Sequence, residues 1–284
     1  MPGLRSPAFA AFVAPARARP ALWRLLAGAT VAAAPWLAAA ALLLGGGAAV
    51  GVGPRATLLL YLASFGGLAL GTAVAVRLLH RRPAASLFGP GGFRPHAFGL
   101  AVAAIAGLAL VTTAASLGLA PPVRQATVAA WAGLLPLALG LVLVQTAAEE
   151  LFFRGYLTQA LAARFRSPLA WALLPSLAFG ALHWDGGAYG GDAWLAVVAA
   201  TAVGLVLTDV TAVTGNLSAA IGLHFANNVA ALVVVAMPGP TAALALWVSP
   251  VDALHPMRAW LLADIAVTLA AWGVWRLALA RRVR

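Results

Sequence analysis

The residues able to do chemistry in this 284-residue chain are few and fall in a fixed order. Glu149, Glu150 and Arg154 lie in AAEELFFRGYL, His183 in LAFGALHW, and His224, Asn227 and Asn228 in IGLHFANNVA. Glu149 and Glu150 are the only glutamates. Glu150 and Arg154 are four apart, so on a helix they share a face and can form a charge-assisted pair. Glu149 is turned about 100° away. Without a cation of its own, it is the better candidate general base. His224 and Asn228 are also one turn apart, which lets the amide hold the imidazole in one tautomer. Phe179 and His183 repeat that spacing, so the ring can pack against the imidazole. Peptide hydrolysis needs a water, a base to activate it and donors for the oxyanion, and Glu149, His183, His224 and Asn228 can supply these functions. The same side chains could instead offer two imidazoles and a carboxylate to a zinc ion, with water in the fourth position.

Each piece also has a plainer reading. The Glu-Arg pair could be an interfacial ion pair, His183 beside Trp184 an interfacial anchor, and the His-Asn pair a helix-to-helix hydrogen bond. All three occurring in order on three separate apolar segments favours a site.

The elements that must position these groups are membrane helices. The chain is 63% hydrophobic and 9% charged, with a mean hydropathy of +0.95. A soluble domain of this size could not bury so much apolar surface. Apolar runs long enough to span a bilayer are expected at about 22–47, 56–78, 97–119, 127–150, 168–184, 193–213, 217–237 and 259–280, giving an all-α polytopic bundle of about eight spans. Pro35 is expected to kink the first span, whose apolar stretch is too long for a cleaved signal and reads as a retained anchor. Residues 1–20 are rich in Pro, Ala and Arg and read as a flexible basic tail, leaving 21–284 as a single membrane domain. Arginines concentrate in the N-terminal segment, in alternate loops (Arg77, Arg81, Arg82, Arg94, then Arg154, Arg164, Arg166) and at the C-terminus, which places both termini in the cytoplasm. The loop after the sixth span, assigned Asp209 and no arginine, is the exception.

Composition also excludes chemistry. There is no cysteine and no lysine, which removes disulfides, thiol nucleophiles, Schiff bases and Ser-Lys dyads. The net charge of +11 is spread between apolar runs rather than over one basic face, so nucleic acid is not a partner and membrane lipid is. His80, His96 and His255 read as solvated loop residues, and Asp264, in the last span, is expected to pair with Arg258, six residues away, or to face a polar cavity, and is assigned no role.

Glu149-Glu150-Leu151-Phe152-Phe153-Arg154 resembles the EExxxR motif of the CAAX protease and bacteriocin-processing family, also called the Abi family. Phe179 to His183 resembles its FxxxH motif and His224 to Asn228 its HxxxN motif, all in the family's order over residues 145–230. The resemblance implies an intramembrane endopeptidase core at about 125–237. In it Glu149 activates water, and His183, His224 and Asn228 bind or polarise the water and the oxyanion. Glu150 and Arg154 form a supporting ion pair, and Phe179 packs the motif. It also implies a membrane-associated peptide or protein as substrate in a bacterial plasma membrane. A metal would be held through Glu149, His183 and His224, and a metal-independent glutamate mechanism stands beside that. HExxH, GxGD and GxSG motifs are absent. A non-catalytic membrane scaffold or immunity protein is the alternative; a proton-coupled transporter fits less well, because no repeated halves are visible.

Overall fold

The computed structural model describes residues 6–254 and 256–282; His255, Arg5 and Arg284 lie outside them. In chain order the helices are α1 (Pro7–Val13), α2 (Leu22–Ala49), α3 (Pro54–Leu78), α4 (Pro95–Leu119), α5 (Val128–Glu150), α6 (Gln159–Arg164), α7 (Leu174–Ala181), α8 (Gly186–Tyr189), α9 (Ala193–Thr214), α10 (Ser218–Val229) and α11 (Met257–Arg282). Backbone amides in an apolar solvent must be satisfied within the segment, and the helix does this. Six helical stretches are long and apolar enough to cross a membrane: Leu22–Ala49, Pro54–Leu78, Pro95–Ala115, Val128–Arg164, Gly186–Thr214 and Met257–Leu279. The protein is therefore a multi-pass all-α membrane bundle. The fifth and seventh expected spans are shorter apolar helices, Leu169–Ala181 and Ser218–Val234. The fourth does not stop at residue 150 as expected: α5 runs through a π-helical segment, Leu151–Thr158, directly into α6.

Helix packing relies on small residues, as expected where lipid offers no hydrophobic drive between helices. α2 and α3 meet at Gly67 and Gly71, where an added Cβ would come within 2.5 Å of the Pro35 and Ala32 carbonyl oxygens respectively. Pro35 lies inside α2 without ending it. Its ring lacks the N–H that would serve the Val31 carbonyl, and that oxygen faces the Gly71 backbone. The pairing thus covers the one weak point in the helix.

The N-terminal stretch is not the flexible tail that its composition suggests. α1 and the following 3-10 turn, Ala14–Ala18, bury Phe9, Phe12, Val13 and Ala16. Phe9 packs at a tilt against Trp171, ring centroids 4.7 Å apart, and α1 closes a core shared with Leu25, Val76, Leu87, Tyr156 and Leu217. Burial of two phenylalanines outweighs the local disorder signal of Pro and Arg. A second core, around Leu58, Leu62, Val142 and Val233, lies toward the opposite ends of α3 and α5. Beside it, a sheet of three two-residue strands forms from β1 (Val123–Arg124), β2 (Val235–Ala236) and β3 (Trp247–Val248), with β3 central.

Three other expectations are corrected. His80 is buried, and its Nε2 lies 3.1 Å from the Tyr156 hydroxyl, because the backbone at Arg19 and Arg24 and the Tyr156 ring close over the loop that carries it. Asp209 is not in a loop: it is buried inside α9, accepting from Trp272 Nε1 at 2.8 Å with Arg276 at 3.7 Å. Arg258 pairs with Asp192 at 2.7 Å rather than with Asp264. His96 is exposed, as expected.

Candidate active site

The site is assembled where the α5 π-helical segment meets α7, α9 and α10. Glu150, the last residue of α5, is fully buried, and its Oε1 accepts from Arg154 Nη1 and from His224 Nδ1, each at 2.8 Å. A carboxylate that already holds a guanidinium is ionised, so His224 must place its proton on Nδ1 toward it. That leaves His224 Nε2 directed at Glu149, whose Oε2 is 3.5 Å away. The expected role of Asn228 is corrected here. Asn228 does not hold His224; its Nδ2 donates to Gln145 Oε1 at 2.9 Å, and Gln145 Nε2 donates to Glu149 Oε2 at 2.7 Å. The imidazole is set by Glu150, and Asn228 is tied to Glu149 through Gln145.

Phe179 separates the guanidinium from the histidines. Arg154 stacks over its ring at 4.7 Å, His183 packs against it at 4.7 Å, and His224 meets it edge-on at 5.7 Å. His183 follows α7 directly and is exposed. Its Nδ1 donates to the Phe179 carbonyl at 2.9 Å, which a carbonyl can only accept, so the neutral ring has its lone pair on Nε2. His183 is also close enough to Glu149 to act on its charge. Behind Arg154, Gly204 of α9 makes the space: a Cβ there would lie 3.2 Å from Nη2 and 3.0 Å from Ser176 Cβ.

The structure therefore brings Glu149, Glu150, Arg154, Phe179 and His224 into contact. His183 shares their ring, and Asn228 reaches them through one intermediary. Gln145 and Gly204 were not anticipated. Gln145 sits one turn before Glu149, a spacing that signals it; nothing in sequence distinguishes Gly204 from other glycines in apolar runs. The fit to zinc is poor. Among the described residues no three His, Asp or Glu side chains gather at a point that could hold a metal ion, and both nitrogens of His224 face carboxylates.

Comparison with known proteins bears on this same segment. Residues 131–230, from α5 to α10, match the family model of the type II CAAX prenyl endopeptidase Rce1-like proteins. Over 95 residues the chain is 41% identical to the uncharacterized protein YyaK of Bacillus subtilis (strain 168), covering 34% of this chain and 32% of that protein. The match thus spans about a third of that relative's length. No solved structure matches the chain.

Proposed function

We propose, from the match of residues 131–230 to the type II CAAX prenyl endopeptidase Rce1-like family model, that this chain is an intramembrane endopeptidase cleaving a membrane-associated peptide by a glutamate-activated water. The observation that carries this reading is the 3.5 Å gap between Glu149 Oε2 and His224 Nε2. The two atoms are wider apart than a hydrogen bond yet close enough that one water, set to their side, can hydrogen-bond to both.

In this reading Glu149 takes one proton from the water while its oxygen attacks the scissile carbonyl carbon. The carbonyl π electrons move onto oxygen, and the oxyanion is met by the second N–H of the Asn228 amide. The C–N bond then breaks as Glu149 returns its proton to the departing nitrogen. Glu150 and Arg154 cancel as charges, which leaves Glu149 as the carboxylate that takes up the proton. His183, whose Nε2 has no hydrogen-bond partner among the described residues, is the second proton relay. No step runs through zinc. Activity retained after chelation is the expected result, and activity lost on chelation and restored by zinc would replace this mechanism. Both termini are read as cytoplasmic from the arginine distribution, and the membrane as a bacterial plasma membrane from the family resemblance.

The test is cleavage of a fluorescent farnesylated peptide ending in a CAAX sequence, in liposomes carrying the purified protein. Glu149→Gln keeps the shape and the Gln145 contact but cannot accept the proton, and should abolish turnover while leaving the melting curve unchanged. Undiminished cleavage by that variant would refute the glutamate mechanism. If neither protein cleaves this peptide or one trapped from membranes by the variant, the scaffold reading stands instead.

A further inference from the structure

At the C-terminal end of α3 the chain builds a cavity of about 360 Å³ lined by Arg77, Arg81, Arg82 and Pro83. Arg77 and Arg81 are exposed, whereas Arg82 is 7% exposed. Arg82 is braced through Nη1, which donates to Gln159 Oε1 and, at 3.3 Å, to Ser86 Oγ. Its Nε and Nη2 are buried and have no hydrogen-bond partner among the described residues. A guanidinium in that state is expensive, and burial pushes Arg82 down to about 10.

The turn that creates the cavity is itself strained. Arg81 adopts φ 53, and the Arg82 amide reaches back to the Val76 carbonyl at 3.2 Å. This is a helix-ending geometry in which glycine is the usual occupant, because a Cβ there crowds the following carbonyl oxygen. An arginine in place of glycine brings a third guanidinium to the same end of the helix.

Among the described residues no carboxylate forms an ion pair with Arg77, Arg81 or Arg82. Residues 1–148 contain no Asp or Glu, and the charges acting on neighbouring Arg19 and His80 are Arg24, Arg81 and Arg82. Helix C-termini do attract cations, but the end of a helix carries only about half a negative charge, against three guanidinium groups around one cavity. The balance of charge must come from outside the chain.

We propose that this cavity binds a phosphate-bearing anion, with the arginines of the α3 terminus as its ligands. Phosphate matches guanidinium geometry with paired N–H donors, and a cavity at the end of a candidate membrane span is within reach of lipid headgroups. The two sources of such a group are an anionic phospholipid and free phosphate. The site shares no residue with the Glu149 cluster, so it stands or falls separately from the peptidase reading.

The test is equilibrium binding of fluorescent phosphatidylglycerol to the purified protein in neutral detergent, competed by unlabelled phosphatidylglycerol, by phosphatidylcholine and by inorganic phosphate. Wild type should bind saturably, and Arg77→Gln combined with Arg81→Gln should weaken binding roughly thirtyfold, as two near-surface arginines predict. Both residues are exposed, so the double variant should keep the wild-type melting curve. It should also keep the wild-type rate of CAAX-peptide cleavage. Competition by the lipid alone assigns the site to a headgroup; competition by millimolar inorganic phosphate assigns it to the free anion. Equal binding by the double variant, or phosphatidylcholine competing as well as phosphatidylglycerol, would overturn the proposal.

Discussion

Replacing Arg154 with methionine asks whether the Glu150–Arg154 pair is a buried charge pair or merely a surface contact near a membrane interface. The two side chains are 1% and 0% exposed, and they meet through one nitrogen and one oxygen at 2.8 Å. Among the described residues Arg154 Nη2 and Glu150 Oε2 find no hydrogen-bond partner. The pair is therefore single-toothed and dry, a geometry in which the attraction barely offsets desolvation, yet loss of one partner strands the other. Arg154→Met alone leaves the Glu150 carboxylate with only His224 and should destabilise by about 3–5 kcal/mol. In a Glu150→Gln background there is no carboxylate to strand, and the same substitution should cost roughly nothing. The assay is reversible unfolding in mixed detergent and SDS micelles, run as a double-mutant cycle. A difference of about 3 kcal/mol between backgrounds corresponds to more than a hundredfold in the unfolding equilibrium. Equal costs in both backgrounds, within about 0.5 kcal/mol, would mean a solvated pair worth about 0–1 kcal/mol. The burial argument for the site would then fail.

Gln145→Leu keeps the volume but removes the donor to Glu149 and the acceptor for Asn228; a hydrogen bond to a charged group is worth about 1.5–3 kcal/mol, so kcat on the CAAX peptide should fall roughly ten- to a hundredfold with KM nearly constant. A fall carried by KM would assign Gln145 to substrate binding instead. His80 is held below its ordinary value of 6.5 by burial and then by the charge of Arg82. Below about pH 6.5 the unfolded chain therefore takes up a proton that the folded chain refuses, and stability drops as pH falls. Melting curves from pH 8 to 5 should show this acid loss in wild type and a smaller one in His80→Gln; parallel curves would remove His80 as the cause. Phe9→Ala should cost about 3–5 kcal/mol if α1 is core rather than tail, and a melting temperature unchanged by it would restore the tail.

How much could be read in advance depended on whether the signal was local. The Glu150–Arg154 pair follows from four-residue spacing and forms as expected. The same rule applied to His224 and Asn228 put them on one face, but spacing says only what can meet. Glu150 reached the imidazole first, from 74 residues away. Gln145 was legible by the same arithmetic, one turn before Glu149, but a glutamine in an apolar run attracts less notice than a charge. α1 carried its own stripe, with Phe9, Phe12 and Val13 at i, i+3 and i+4, yet seven residues are too few for periodicity to outweigh a Pro- and Arg-rich composition. His80 was unreadable because its burial is made by a segment more than fifty residues earlier. The π-helical turn has no sequence signature either, though without it Val128–Arg164 would not run on as one stretch past the ion pair.

The two helices that carry the histidines are also the two that are too short. Apolar helices of 10–17 residues reach about 15–26 Å at 1.5 Å per residue, against a hydrocarbon core of about 30 Å. At least one end of each must therefore stop at membrane depth, where loose backbone is tolerated only beside protein or a water-filled cavity. His183 sits just past such an end, in the turn after α7, exposed and with its amide bonded to the Gly180 carbonyl at 2.9 Å. His224 lies inside the other short helix, already enclosed by Phe179 and Glu150. A full-length helix in place of α7 would carry His183 onward as one more lipid-facing residue; a short one leaves it exposed in the turn after α7. On this reasoning the shortness of α7 is what would let water reach a carboxylate that the rest of the bundle keeps dry.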